Sequence, residues 1–65
     1  MLISKDTVII DTVKHFEYSI KVHVSGEYHV IRLDQINGLN ETIFMTTQYS
    51  EMLTFMYGIQ KAVIG

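Results

Sequence analysis

The chain of 65 residues contains no cysteine, no proline and no tryptophan. Without cysteine a disulfide is impossible, and nothing indicates an oxidising compartment. The first residues also lack the basic start and the apolar stretch of a secretory signal peptide. We therefore expect a cytoplasmic protein that no covalent cross-link stabilises.

Long hydrophobic runs are missing as well. The longest apolar stretches, such as residues 8–10, are three residues long, whereas a membrane-spanning helix needs about 20. Hydrophobic residues nevertheless make up 48% of the chain and charged residues 18%, which is too apolar for a disordered segment. We expect a single folded domain over residues 1–65 and no contact with a membrane.

Basic residues are few and scattered. Five Lys or Arg stand against seven Asp or Glu, so a phosphate backbone would gain little electrostatic attraction. Aromatic residues on the strands could stack bases, but such a site also needs basic neighbours. These aromatic residues are Phe16, Tyr18, Tyr28 and Phe44. The composition therefore disfavours nucleic-acid binding.

The clearest local pattern is the alternation of apolar and polar residues from Phe16 to Val24. A period of two, rich in β-branched and aromatic residues, predicts a half-buried strand. Ser25 and Gly26 follow, and Glu27 to Leu33 forms a second strand-like run. Because glycine readily supplies the positive φ of a tight turn, we expect a β-hairpin here.

Two registers of this hairpin are open. If Ser25 and Gly26 alone form the loop, Val24 lies opposite Glu27, and Ile31 and Leu33 join the buried face; we favour this register because it buries the most apolar area. A three-residue loop places Val24 opposite Tyr28 instead, which moves Ile31 and Leu33 to the polar face and brings His23 beside His29.

The remaining elements follow from turn and helix signals. Asn37-Gly38 predicts a turn, and residues 41–46 predict a strand, with a helix beginning at Asn40 as the alternative. We favour the strand because Thr46 and Thr47 offer better N-caps, with Glu51 in the first helical turn. The helix itself shows apolar residues at spacings of three and four: Tyr49, Met52, Leu53, Met56, Ile59 and Val63.

The N-terminal stretch is ambiguous, because residues 7–13 are rich in β-branched residues but no glycine or proline separates them from the next strand. They form either a separate edge strand or a bent extension. The predicted fold class is α+β: a small antiparallel meander of three to four strands with a C-terminal amphipathic helix packed on one face (ββββα).

The predicted helix is more apolar than one sheet requires. Its apolar arc spans ~220°, whereas packing on a single sheet needs a stripe of ~100° or somewhat more. Either the sheet curls around the helix, or a second protein covers the surplus flank. The candidate residues for a partner or dimer interface are Tyr49, Phe55, Met56, Tyr57, Ala62 and Ile64.

Gly58 lies inside this helix on its polar arc and costs about 1 kcal/mol relative to alanine. We expect it to end the helix early, and the alternative is that it admits another backbone closely.

Residues that could carry chemistry do not form a recognisable site. His15 and His23 lie eight residues apart on one strand, which is ~26 Å, and His29 joins them only in the slipped register. No nucleophile elbow, glycine-rich phosphate loop or paired carboxylates occur. We expect no enzymatic activity, no cofactor and no metal.

The sequence therefore indicates a non-enzymatic protein-interaction module. We expect a homodimeric accessory or inhibitor protein of bacterial or bacteriophage type that binds another protein. The alternative is a regulatory module that binds a small molecule between helix and sheet.

Overall fold

The computed structural model describes residues 7–64, and the side chains of residues 7–63. Four strands form one antiparallel sheet in the order β1-β2-β3-β4, and a helix follows. The strands are β1 (Ile9–Asp11), β2 (Phe16–Val22), β3 (Tyr28–Asp34) and β4 (Leu39–Thr46), and the helix is α1 (Tyr49–Ile64). Because α1 packs on one face of this meander, the predicted ββββα fold is confirmed.

The N-terminal ambiguity is resolved in favour of a separate edge strand, β1. A turn joins it to β2, and the Asp11 carboxylate stabilises that turn by accepting a hydrogen bond from the Lys14 N–H at 3.1 Å. His15 ends the turn with φ at 60°, in the left-handed region that glycine usually occupies. Residues 1–6 lie outside the described part of the chain.

The β2–β3 hairpin has a register that neither expectation contained. Val22 lies opposite Tyr28, and the loop consists of residues 24–26. The His23 N–H donates to the Glu27 carbonyl, and the Gly26 N–H donates to the His23 carbonyl, each at 2.9 Å. Gly26 takes a φ of 90°, as in three-residue loops that end in a left-handed glycine. Both predicted registers are therefore wrong.

The β3 side chains nevertheless face the sides that the less favoured register, with the three-residue loop, predicted. We call this orientation the phase of β3. Val30 faces the helix and is fully buried, so Ile31 and Leu33 point to the opposite face together with the polar residues of β2. His23 and His29 share that opposite face, where their rings stack with centroids 3.7 Å apart.

This phase places Arg32 on the sheet face that carries the helix. Its contacts there explain why a charged residue is tolerated on that face. Its guanidinium donates to the Glu41 carboxylate at 2.6 Å and lies 4.7 Å from the centroid of the Phe16 ring. The Arg32 side chain therefore covers Phe16 while its charge is paired.

The β3–β4 turn is held by Asp34. Its carboxylate accepts hydrogen bonds from the backbone N–H groups of Ile36 and Asn37 and, at 2.7 Å, from the Asn37 side chain. The hydrogen bond from the Asn37 side chain, aided by these backbone bonds, lowers the pKa of Asp34 from its ordinary value. Gly38 completes the predicted Asn-Gly turn with φ at 69°.

The favoured strand at residues 41–46 is confirmed and extends back to Leu39. A register shift between Val30 and Ile31 leaves Ile43 as an extra residue of β4, which is a β-bulge. At the end of β4, the Thr46 hydroxyl accepts the Gln48 N–H at 3.0 Å and donates to Glu51 at 2.8 Å. Thr46 thus stabilises the start of α1, although the helix begins only at Tyr49.

The core between helix and sheet is small and filled. Its buried apolar residues are Ile9, Tyr18, Val30, Met52 and Met56. Met56 is 0% exposed, so its expected place at a partner interface is wrong, because it fills the centre of the domain instead. Over residues 7–64, no helix has the length and hydropathy needed to cross a membrane.

Gly58 does not end the helix, which continues to Ile64. The expectation of early termination is therefore wrong. A Cβ atom built on Gly58 would meet no atom within 4 Å, so packing within the described chain does not require glycine here.

Substitutions of Gly58 and Gly26 provide a matched test of this fold. Gly58→Ala should raise the free energy of unfolding by up to about 1 kcal/mol, because alanine favours the helix and fits the open space. Gly26→Ala should lower it by about 1–2 kcal/mol, because a Cβ disfavours the left-handed conformation. Urea denaturation measures both, and a destabilising Gly58→Ala substitution would contradict the helix placement.

Candidate functional site

The surplus apolar flank expected on the helix is smaller in the structure. Phe55 is partly buried and stacks on Phe44 of β4, with ring centroids 4.4 Å apart and planes 5° apart. The sheet therefore covers Phe55 by itself. The side chain of Ile64 lies outside the described residues.

Three predicted interface residues are exposed, but they do not form one patch. Tyr49 is 43% and Tyr57 40% exposed, and Ala62 is exposed too. Tyr49 packs edge-on against Tyr28, with the ring centroids 5.5 Å apart. Tyr57 and Ala62 lie about 140° apart around the helix axis, so one flat partner could not contact both. The helix is thus a weaker docking surface than the sequence suggested.

A cleft of about 330 Å³ lies beside the helix N-terminal half. It is wide open to solvent and is lined by Phe44, Ser50, Glu51, Thr54 and Phe55. Ligand sites usually enclose most of their ligand, and the space between α1 and the sheet is already filled by Met52 and Met56. Within residues 7–64 these observations do not favour a small-molecule pocket between helix and sheet, which stays a prediction.

The second face of the sheet carries no helix among the described residues, and we call it the open face. The strand registers arrange its side chains in three rows that cross the sheet. The rows are Ile10, Glu17, Leu33 and Asn40; then Ser19, Ile31 and Thr42; then Lys21, His29 and Met45.

The open face is more apolar than a solvated sheet face should be. Antiparallel sheets with one covered face usually alternate apolar residues inward and polar residues outward. Here the central strand β3 presents Ile31 and Leu33, which are partly buried, to the uncovered side. Ile10 is 51% and Met45 58% exposed on the same face. Ile31, Leu33 and, on the neighbouring strand β4, Met45 therefore form an apolar strip, and the polar side chains of β2 separate Ile10 from it.

Polar groups border the strip on β2 and at the end of β3. Glu17 and Lys21 both belong to β2 and lie on either side of Ser19. The Gln35 amide donates to the Glu17 carboxylate at 3.3 Å. His29 Nε2 is buried without a hydrogen-bond acceptor in the described chain, and the Glu27 carboxylate lies 3.8 Å away. An apolar centre with a polar rim is typical of protein interfaces.

The arrangement offers little to other chemistry. In residues 7–64, no three His, Asp or Glu side chains are placed to hold a metal ion. The aromatic residues that could have stacked bases all pack against the core under the helix: Phe16, Tyr18, Tyr28 and Phe44. The open face itself carries imidazole rings but no phenyl, phenol or indole ring within its three rows.

Sequence reasoning missed the open face because it assigned Ile31 and Leu33 to the core. The signal that could have identified it is the alternation of β3 itself, where Val30 and Arg32 must share the face opposite to Ile31. A preference for maximal burial outweighed that signal, because the favoured register put Ile31 and Leu33 on the buried face.

Comparisons with known proteins add no family. The sequence matches no family model, and neither curated proteins nor solved structures show significant similarity to it.

Neighbouring residues of β3 provide a direct test of the site. Val30→Thr should lower the free energy of unfolding by about 1–3 kcal/mol, because it buries a hydroxyl in the core. Ile31→Thr should cost less than about 1 kcal/mol, because the residue faces the open side. Chemical denaturation at the lowest workable protein concentration measures both. The reverse order of the two losses would show that the register is wrong.

Proposed function

We propose that this chain is a non-enzymatic protein-interaction module whose docking surface is the open face. The single observation that carries the proposal is the orientation of Ile31 and Leu33, which the central strand presents to a side that no described element covers. Fully burying a side chain of this size contributes about 1.5–3 kcal/mol. A partner that covers both would recover the part that this fold leaves unused.

A protein partner fits the chemistry of this surface better than a small molecule does. The open face is a broad sheet surface, with apolar residues in the middle and amide, hydroxyl, imidazole and charged groups around them. Small molecules need concave sites that enclose them, whereas protein partners bury broad surfaces of mixed polarity.

The size and composition of the chain support an accessory role. The domain has five buried apolar residues in the described part, and domains of this size often gain stability from a partner subunit. An accessory or inhibitor protein of bacterial or bacteriophage type, acting in the cytoplasm, would use such a module. The exposed residues Tyr49, Tyr57 and Ala62 are then secondary contacts for a partner that reaches around the helix.

Site-specific photo-cross-linking tests this proposal. A photoreactive amino acid in place of Ser19, at the centre of the open face, should form covalent adducts with protein in cells that express the chain. The same amino acid in place of Ser50, on the exposed side of α1, is the matched control and should form few. Gel mobility and mass spectrometry identify the adducts.

Two results would refute the proposal. The first is the absence of protein adducts at position 19, and the second is equal yields at positions 19 and 50. Circular dichroism of both variants checks that the fold is retained. Adducts with a different protein and adducts with a second copy of the chain both support it, and their masses distinguish them.

A further inference from the structure

We infer that the open face binds the open face of a second copy, around a two-fold axis that passes close to Ser19. This inference rests on the proposed function and specifies its partner. A two-fold interface uses the same patch on both subunits, so the patch must complement itself. The charges, the shape and the size of the open face can each be compared with that requirement.

The charges on β2 are self-complementary. Glu17 and Lys21 are each two residues from Ser19, and all three side chains point to the open face. A two-fold axis that lies between the two sheets and runs across the strands at Ser19 reverses the strand direction of the second copy. It therefore brings Glu17 of each copy over Lys21 of the other, so that two ion pairs form at symmetric positions.

The side chains on the axis allow close approach. The central row holds the small residues Ser19 and Thr42 on either side of Ile31. On this axis Ile31 would pack against its own counterpart, and the two ion pairs would lie beside it on the neighbouring inner strand β2. Two antiparallel sheets would then stack about 10 Å apart, as in a β-sandwich, and the two helices would cover the outside.

The area of the open face fits a weak dimer. Three strands of seven or eight residues and the three-residue β1, about 4.8 Å apart, give a flat face of roughly 400 Å². That footprint is below the roughly 600 Å² per partner of standard interfaces and in the range of weak, transient contacts. A formal net charge of −2 opposes association only weakly. We therefore expect a dimer that dissociates on dilution.

Charge reversal tests the two-fold geometry. Glu17→Lys and Lys21→Glu are made separately, and sedimentation equilibrium measures self-association of each purified chain. Each variant alone should self-associate roughly tenfold more weakly or worse, because like charges then face each other. An equimolar mixture should recover the parental affinity, because positions 17 and 21 are both lysine in one variant and both glutamate in the other. Lys61→Glu, on the exposed side of α1, is the control and should change nothing.

Three results would overturn the inference: a parent chain that stays monomeric, variants that associate as tightly as the parent, or a mixture that associates no better than its components. Because the chain has no cysteine, Ser19→Cys gives a second readout. A short bis-maleimide reagent, which can bridge thiols on sheets about 10 Å apart, should yield a covalent dimer from this variant and not from Ser50→Cys. If self-association is absent while position 19 still cross-links to another protein, the inference fails and the proposed function stands.

Discussion

The phase of the central strand is the constraint on which the rest of the structure depends. Val30 is fully buried against the helix, and a strand must point its next residue to the other side. Ile31 and Leu33 therefore face away from the only helix in the described chain, and Arg32 faces toward it. This orientation of β3 is stabilised by Tyr28, which packs against the core, and by Arg32, which pairs with Glu41.

This phase divides the apolar residues of the chain between two layers. The inner layer is thin, because only five apolar residues in the described part are buried. Two of them are methionines, whose unbranched side chains adapt to an irregular space between helix and sheet. The outer layer, the open face, holds apolar side chains that the isolated domain buries only in part. A fold that divides its apolar surface in this way is stabilised further whenever the second layer is covered.

Local patterns in the sequence predicted the elements well. The alternation in β2 and the spacing of three and four in α1 each report one face of one element, so neighbouring residues suffice to identify them. β1 could not be separated with the same ease, because His15 takes the positive φ that glycine normally signals. The hydrogen bond from the Lys14 N–H to the buried Asp11 carboxylate also supports this turn, and no sequence pattern predicted it.

The register and the site depended on contacts that no local pattern contains. The hairpin loop ends at Gly26 and begins one residue earlier than either expected register allows. The Arg32–Glu41 pair joins residues nine positions apart, and it makes a charged residue acceptable on the helix face. The contact between Phe55 and Phe44 also joins residues that are distant in the sequence. Because no local pattern contains it, the surplus apolar surface was expected on the helix, whereas in the structure it lies on the sheet.

Methyl NMR spectroscopy over a dilution series tests the central claim most directly. We expect the methyl resonances of Ile31 and Leu33 to shift with protein concentration, because their face becomes covered, while those of Val30 stay constant in the core. We also expect nuclear Overhauser contacts from Met52 to Val30 and none to Ile31. Contacts between Ile31 and the helix, or Ile31 and Leu33 shifts that are independent of concentration and of any added partner, would contradict the claim.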